Sequence, residues 1–367
     1  MSWLLIGHER AVNVLRKETL AGTPAHAYLF AGPAGIGKRR LARELAAALN
    51  CEADAGNRPC HACRTCRMID KEAHPDFLVV DSAREERRSA EGDRAADAAG
   101  QNGDGPANSA GRRPDGRGAD RTKHIDLIRA ARETAAWRPY EARYKILLFA
   151  DAEEMSEAAA NVLLKTIEEP PPQVIIVMTA RHVEAVPLTI QSRCRAVTLQ
   201  PVPVPDLAEG LQRLHRAEAG LALRLAALSG GRVGWAVDAL SNPDLVAERE
   251  AEVDRAVELS AGPLSGRLLL AGQATRGESF GEARAACLRT LSDMQVWWRD
   301  LLLVASGAPV TPVHQDRAGD LARQAERRGC ARIVAGLREI ELTIAAVEER
   351  NVTPRLALEA LLLRLGV

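Results

Sequence analysis

The sequence predicts an α/β domain built on a parallel, doubly wound sheet, followed by domains made only of helices. Three observations carry this. Short apolar runs alternate with helical patterns as far as residue 199, the rhythm of a parallel sheet with crossover helices. After Pro201–Pro205 the strand signals stop and Leu/Ala-rich amphipathic segments run to residue 367. Aromatic residues make up 3% of the chain against 46% apolar residues. The cores must therefore be Leu, Val, Ile and Ala, which favours helices over β-sandwiches.

Taken in order, AYLFA at 27–31 reads as a buried strand, GPAGIGK as a tight turn and RRLARELAAAL as a helix. Further strands are expected at 77–80, 145–149, 174–179 and 196–199, with helices at 124–136 and 153–168. Residues 82–122 break the rhythm. They contain no Leu, Ile, Val, Met or aromatic residue and cannot bury enough apolar surface to offset their ordering entropy. They are expected to be a disordered insertion acting as a solvated spacer. Three domains follow: 1–202 α/β, 203–245 a small helical unit, and 246–367 a larger helical unit. Pro263, Pro309, Pro312 and Pro354 mark turns or helix starts. A length of 367 residues suits two or three domains.

Lys plus Arg and Asp plus Glu both number 49. Bulk charge therefore gives no reason to expect tight DNA binding by this chain alone, although local basic patches are compatible with it. MSWLLIGHERAV is too short and too quickly charged for a signal peptide, and no apolar run is long enough to span a membrane. Seven cysteines, an odd number, argue against a fully paired disulfide framework and for a reducing cytosol.

Gly32-Pro33-Ala34-Gly35-Ile36-Gly37-Lys38 fits the phosphate-loop pattern G-x-x-x-x-G-K. Gly32, Gly35 and Gly37 let backbone N–H groups turn toward phosphate oxygens, and Lys38 is placed to reach the β- and γ-phosphates of ATP. The next position should hold a Mg²⁺-binding hydroxyl, but it is Arg39, which has no acceptor lone pair and repels a cation. The strand at 145–149 should end in a metal-organising Asp. It runs instead into Ala150 and Asp151. Either that Asp is displaced by one residue, or it is lost and Asp151 takes the position of the catalytic Glu that often follows. Two defects in one metal site favour loss, and with it no hydrolysis in this chain's own site. ATP binding without hydrolysis stays open.

Cys51-x8-Cys60-x2-Cys63-x2-Cys66 places four thiols in a polar stretch, residues 50–67, with too little apolar content to fold unstapled. Four thiolates make a closed tetrahedral zinc site, structural because no position is left for substrate. His61 or His74 is the alternative ligand for one position. Free thiols or a redox pair are the other reading of the cluster.

HAYLFAGPAGIGK, the four cysteines, HPDF at 74–77, MSEAAANVLLKTIEEPP at 155–171 and QSRC at 191–194 occur in one order. That order resembles the AAA+ clamp-loader subunits of bacterial DNA polymerase III, closely over about 5–80 and 124–240 and more loosely beyond. The resemblance implies an AAA+ parallel-sheet domain with an inserted zinc module, a small helical lid and a C-terminal helical collar. It implies that Arg193 of Ser192-Arg193-Cys194 is a finger reaching the γ-phosphate held by a neighbouring subunit, catalytic in trans. It also implies a lid arginine, which motor subunits carry. Here Gly231-Arg232-Val233-Gly234-Trp235-Ala236 puts Gly234 at that place, with Arg232 a possible substitute.

Arg39, Ala150 and Gly234 together, with the finger retained, look like the non-motor, delta-prime class. The partners implied are gamma/tau and delta subunits, the sliding clamp indirectly, and primer–template DNA within a hetero-oligomer of the polymerase holoenzyme. Two rival readings are an active gamma/tau-type ATPase using Asp151 as its metal residue, and a zinc-dependent nucleic-acid-binding module. Trp297 and Trp298 are expected to be core or collar packing, not stacking platforms for DNA.

Overall fold

The structure is a computed structural model, and it describes residues 3–81, 126, 128–134, 136–277, 279–349 and 352–365. The predicted insertion at 82–122 lies outside the described residues. The chain divides into two compact units, 1–201 and 202–367.

The first unit is built on five parallel strands: β1 (Ala27–Ala31), β2 (Phe77–Val80), β3 (Lys145–Phe149), β4 (Val174–Ala180) and β5 (Arg195–Thr198), in the order β2-β3-β4-β1-β5. Its helices are α1 (Glu9–Ala21), α2 (Lys38–Asn50), α3 (Arg64–Asp70), α4 (128–134), α5 (Glu157–Glu168) and α6 (Leu188–Gln191). The central strands β1, β3 and β4 are buried throughout, as sheets covered on both faces require.

Alternate side chains serve opposite faces. Tyr28, Phe30, Ile146 and Leu148 pack with α1 and α2. Ala27, Leu29, Leu147 and Phe149 pack with α4 and α5. The helix expected from residue 153 starts instead at Glu157. Residues Ala152–Glu154 form a 3₁₀ turn, and the Ser156 hydroxyl caps α5 by accepting the Ala159 N–H at 3.2 Å. Ala159 and Ala160 pack against the sheet as their small size suggests, whereas Ala158 faces solvent.

The second unit is helical: α7 (Val204–His215), α8 (Ala219–Ser229), α9 (Val233–Ala239), α10 (Pro243–Ala261), α11 (Leu264–Ala274), α12 (Phe280–Ser306), α13 (Ala318–Glu349, broken at Gly329) and α14 (Pro354–Arg364). Trp297 and Trp298 on α12 are buried in its core. The Trp298 indole N–H donates to Ser260 Oγ at 3.0 Å, and the Arg328 guanidinium lies 5.1 Å from its ring centre. A Cβ on Gly336 would come within 2.1 Å of that ring, so α13 can cross α12 here only through a glycine. Among the described residues, no helix is long and apolar enough to cross a membrane.

Candidate functional site

The glycine turn follows β1 at the carboxyl end of the sheet, where open α/β sheets bind ligands. The Gly32 N–H donates to Ala180 O at 3.1 Å, extending the β1–β4 ladder by one residue. A Cβ on Gly32 would stand 2.6 Å from Leu199 O, so no other residue fits. Gly37 opens α2 at φ 109°, a conformation L side chains rarely adopt. Lys38 is buried, 8% exposed, and its ammonium donates to Gly32 O at 2.5 Å and Pro33 O at 3.1 Å, both carbonyls of its own loop. Burial lowers its pKa, against the attraction of Asp151 and Glu153. His8 Nε2 lies 3.0 Å from Ile36 O; since a carbonyl only accepts, that nitrogen carries the hydrogen.

Arg39, at the position where a metal-binding hydroxyl is expected, forms an ion pair with Asp81, a buried carboxylate just past β2. The Arg39 guanidinium therefore already has a counter-ion. Ala150 still belongs to the strand ladder, donating its N–H to Val80 O at 2.9 Å. Asp151 turns away at φ 49°, ψ 57°, and its N–H donates to Thr179 Oγ1 at 3.0 Å. Glu153 accepts from the Arg181 backbone N–H at 3.2 Å. Burial and nearby Asp151 push the Glu154 carboxyl up.

At the other end of α2, the sulfurs of Cys51, Cys60, Cys63 and Cys66 all lie within 4.8 Å of one another, and none is in a disulfide. Four sulfurs about 2.3 Å from one zinc stand about 3.8 Å apart, so the cluster fits the ion. The backbone prepares it. Cys51 Sγ accepts from the Cys60 N–H at 3.3 Å, Cys60 Sγ from the Cys63 N–H at 3.3 Å, and Cys63 Sγ from the Cys66 N–H at 3.4 Å. Backbone N–H donors hold the Cys60 thiol at about 6, whereas burial pushes Cys51 and Cys66 up.

The two histidines have other neighbours. His61 Nε2 lies 3.4 Å from Glu44, and His74 Nδ1 accepts the Asp76 N–H at 3.1 Å. Among the described residues, the cysteine quartet is the grouping that could hold a metal. Cys51 and Cys66 also pack in the same core as α1 and α2, so the loop is part of the domain's interior.

Arg193 precedes β5, whose Arg195 pairs in register with Tyr28 near the start of β1. It therefore lies at the amino end of the strands, with the glycine turn at the carboxyl end, about 13 Å of strand away from Tyr28 to Gly32 at roughly 3.3 Å per residue. The fold brings the glycines and Lys38 together, and the four cysteines together, but keeps Arg193 apart from the phosphate loop. Its guanidinium is 2.9 Å from Glu168 Oε1 at the end of α5 and donates to Thr189 O at 3.0 Å. Neighbouring Cys194 has its thiol pushed up to about 12 by burial. Arg232 opens α9 and donates to Ser229 O at 2.7 Å within its own unit.

Some structural anchors were not read from the sequence. In HPDF, the Asp76 carboxylate accepts N–H groups from Tyr140 at 2.7 Å and from Glu141 and Ala142 at 2.9 Å. Burial opposes its charge, yet these three donors hold its pKa below the ordinary range. Buried Lys145 donates to Thr134 O at 2.9 Å and Trp137 O at 3.0 Å, ending α4. The adjacent H-P-D-F residues are the signal that could have marked an Asp-stabilised turn.

A family model described as DNA polymerase III, delta subunit, matches residues 7–203. The tau subunit of DNA polymerase III from Escherichia coli K12 is 27% identical over 346 residues, 93% of this chain and 47% of that one. The delta' subunit of Pseudomonas aeruginosa is 33% identical over 211 residues, 56% of this chain and 53% of that one. The chain spans about half the length of these relatives. A gamma-subunit-related protein of Thermotoga maritima aligns over 97% of this chain and 98% of its own, with 16% identity and a TM-score of 0.41.

Proposed function

The chain belongs to the DNA polymerase III delta-subunit family, and from that premise we propose that it is a non-motor AAA+ clamp-loader subunit of the delta-prime kind. It acts in DNA replication within a hetero-oligomer containing gamma/tau and delta subunits, which opens the sliding clamp and sets it on primer–template DNA. Relatives named tau and delta' both match, so the choice between motor and non-motor rests on the site.

The observation that carries it is the Arg39–Asp81 ion pair. A motor site needs a hydroxyl and a carboxylate to hold Mg²⁺ against the β- and γ-phosphates. Here a guanidinium occupies the hydroxyl's position, Ala150 ends the strand where the carboxylate is needed, and the Lys38 ammonium is engaged by its own loop.

The phosphate loop is thus a scaffold turn in this reading. Arg193 is the catalytic residue, acting on ATP held by a neighbour, where its charge offsets the negative charge of the transferring phosphoryl group. Its place at the opposite end of the strands from its own glycine turn supports action in trans. Residues 203–245 serve as the lid and 246–367 as the collar. Cys51, Cys60, Cys63 and Cys66 hold a structural zinc, which ties α2 to α3 and leaves no coordination position for substrate.

The purified chain alone, given ATP and Mg²⁺, is expected to show no steady-state hydrolysis above background. Clear Mg²⁺-dependent turnover that disappears in Lys38→Met would establish the motor reading instead.

A further inference from the structure

The side chain of Arg193 is not extended. Its guanidinium is folded back over its own turn, where Nη1 donates to Thr189 O at 3.0 Å and to Ser192 Oγ at 3.2 Å. Nη2 reaches Glu168 Oε1 at 2.9 Å, on the last residue of α5. All three acceptors belong to this chain, so the guanidinium is bonded to its own domain.

The end of α5 suits a cation. A helix C-terminus carries about half a negative charge on its unpaired carbonyls, and acids placed there are unfavourable without a counter-charge. Glu168 and Glu169 add two exposed carboxylates at this end, and Lys165 is the basic residue of the last turn. Arg193 supplies the further positive charge. The pair is half-exposed, with 40% of the Arg193 side chain and 48% of the Glu168 side chain open to water. An ion pair this exposed is held weakly, as a contact made to be exchanged requires.

The chemistry of the pair sets its consequence. While Glu168 holds the guanidinium, its charge is cancelled at short range. A γ-phosphate approaching the intact pair meets the carboxylate as well as the cation, and the two anions repel. To act on ATP held by a neighbour, Arg193 must leave Glu168 and Thr189 O and extend. A phosphate carries more charge than a carboxylate and offers the guanidinium two oxygens, so it can displace Glu168. The released carboxylate has a second cation near it, since Lys165 lies three residues before it on the helix.

We propose that Glu168 is a latch on Arg193. Without a neighbour's ATP it keeps the arginine folded back, and a γ-phosphate delivered by the neighbouring site draws the arginine off. The latch rests on the trans role proposed for Arg193 and adds its regulation: it suppresses hydrolysis until the neighbour's nucleotide is in place.

The test has two parts, both with Glu168→Gln, which keeps the size of the side chain and removes its charge. First, the free full-length chain is treated with phenylglyoxal, an arginine-selective reagent, and modification of Arg193 is followed by peptide mass spectrometry. The variant should react about twofold to fivefold faster at Arg193, the range that an exposed ion pair allows. Added salt should raise the wild-type rate toward that of the variant. Second, ATP hydrolysis without DNA is measured in a loader reconstituted with tau and delta subunits. Glu168→Gln should raise it by a similar factor, and should have no effect once Arg193→Ala is also present. Circular dichroism and gel filtration check folding and assembly. The latch is overturned, with the trans role left standing, if Arg193 in the variant reacts no faster than in the wild type. The same holds if Arg193→Ala lowers hydrolysis while Glu168→Gln leaves it unchanged or lowers it. A fully active Arg193→Ala loader overturns the trans role, and the latch with it.

Discussion

Asp76 shows how much one side chain can organise. Its carboxylate gathers three consecutive backbone N–H groups from residues 140–142, across more than sixty positions of sequence. Because those donors hold its folded pKa below the unfolded value, the stabilisation is present at neutral pH and is lost as pH falls through the folded pKa. Asp76→Asn should cost about 1–3 kcal/mol in denaturant unfolding at pH 7, and the gap to wild type should narrow as pH falls through the lowered pKa of Asp76. An unchanged midpoint at pH 7 would remove this role.

At this scale the sequence is legible where the chemistry is local. The spacing of Gly32 to Lys38 and of the four cysteines could be read directly. The partners that define their state could not. Asp81 comes to Arg39 from the end of another strand, and Glu168 comes to Arg193 from another helix. Neither pairing leaves a mark on local sequence.

At the scale of elements, the strands were legible because buried parallel strands are short, continuous apolar runs, and β1 and β3 fall where those runs are. The start of α5 was not, because Ser156 caps the helix three residues beyond the point where its helical pattern begins. The exposed rings of Trp137 and Tyr140 were also missed, since apolar pattern alone does not tell which aromatic stays in solvent.

The cysteine loop makes a prediction at this level. Its two buried thiols share the core packed by α1 and α2, so the metal should support the domain as well as the loop. Purified protein should contain about one zinc per chain by elemental analysis, and stripping it with a chelator, or Cys60→Ser, should lower the unfolding temperature and expose 51–66 to protease. Zinc-free protein with an unchanged melting curve would show that packing alone holds the loop.

For the whole molecule, the parallel sheet sets the division of labour. Every strand runs the same way, so the connections at one end are separated from those at the other by the strands themselves. The glycine turn, Arg39–Asp81 and Asp151 gather at the carboxyl end. The cysteine cluster, the connection between α4 and β3 and Arg193 gather at the amino end, joined to the sheet through contacts such as Asn50 Nδ2 to Tyr144 O at 3.0 Å. A residue at one end serves chemistry at the other only by acting on a different molecule, which is the role proposed for Arg193.

The most direct measurement is DNA-stimulated ATP hydrolysis by a loader reconstituted with tau and delta subunits, comparing wild-type chain, Arg193→Ala and Lys38→Met. The account predicts that Arg193→Ala lowers hydrolysis at least about threefold with assembly intact, since an arginine finger is worth on the order of 10³ at the site it serves. It predicts that Lys38→Met leaves hydrolysis unchanged. The opposite pattern, a loss with Lys38→Met and none with Arg193→Ala, would contradict it.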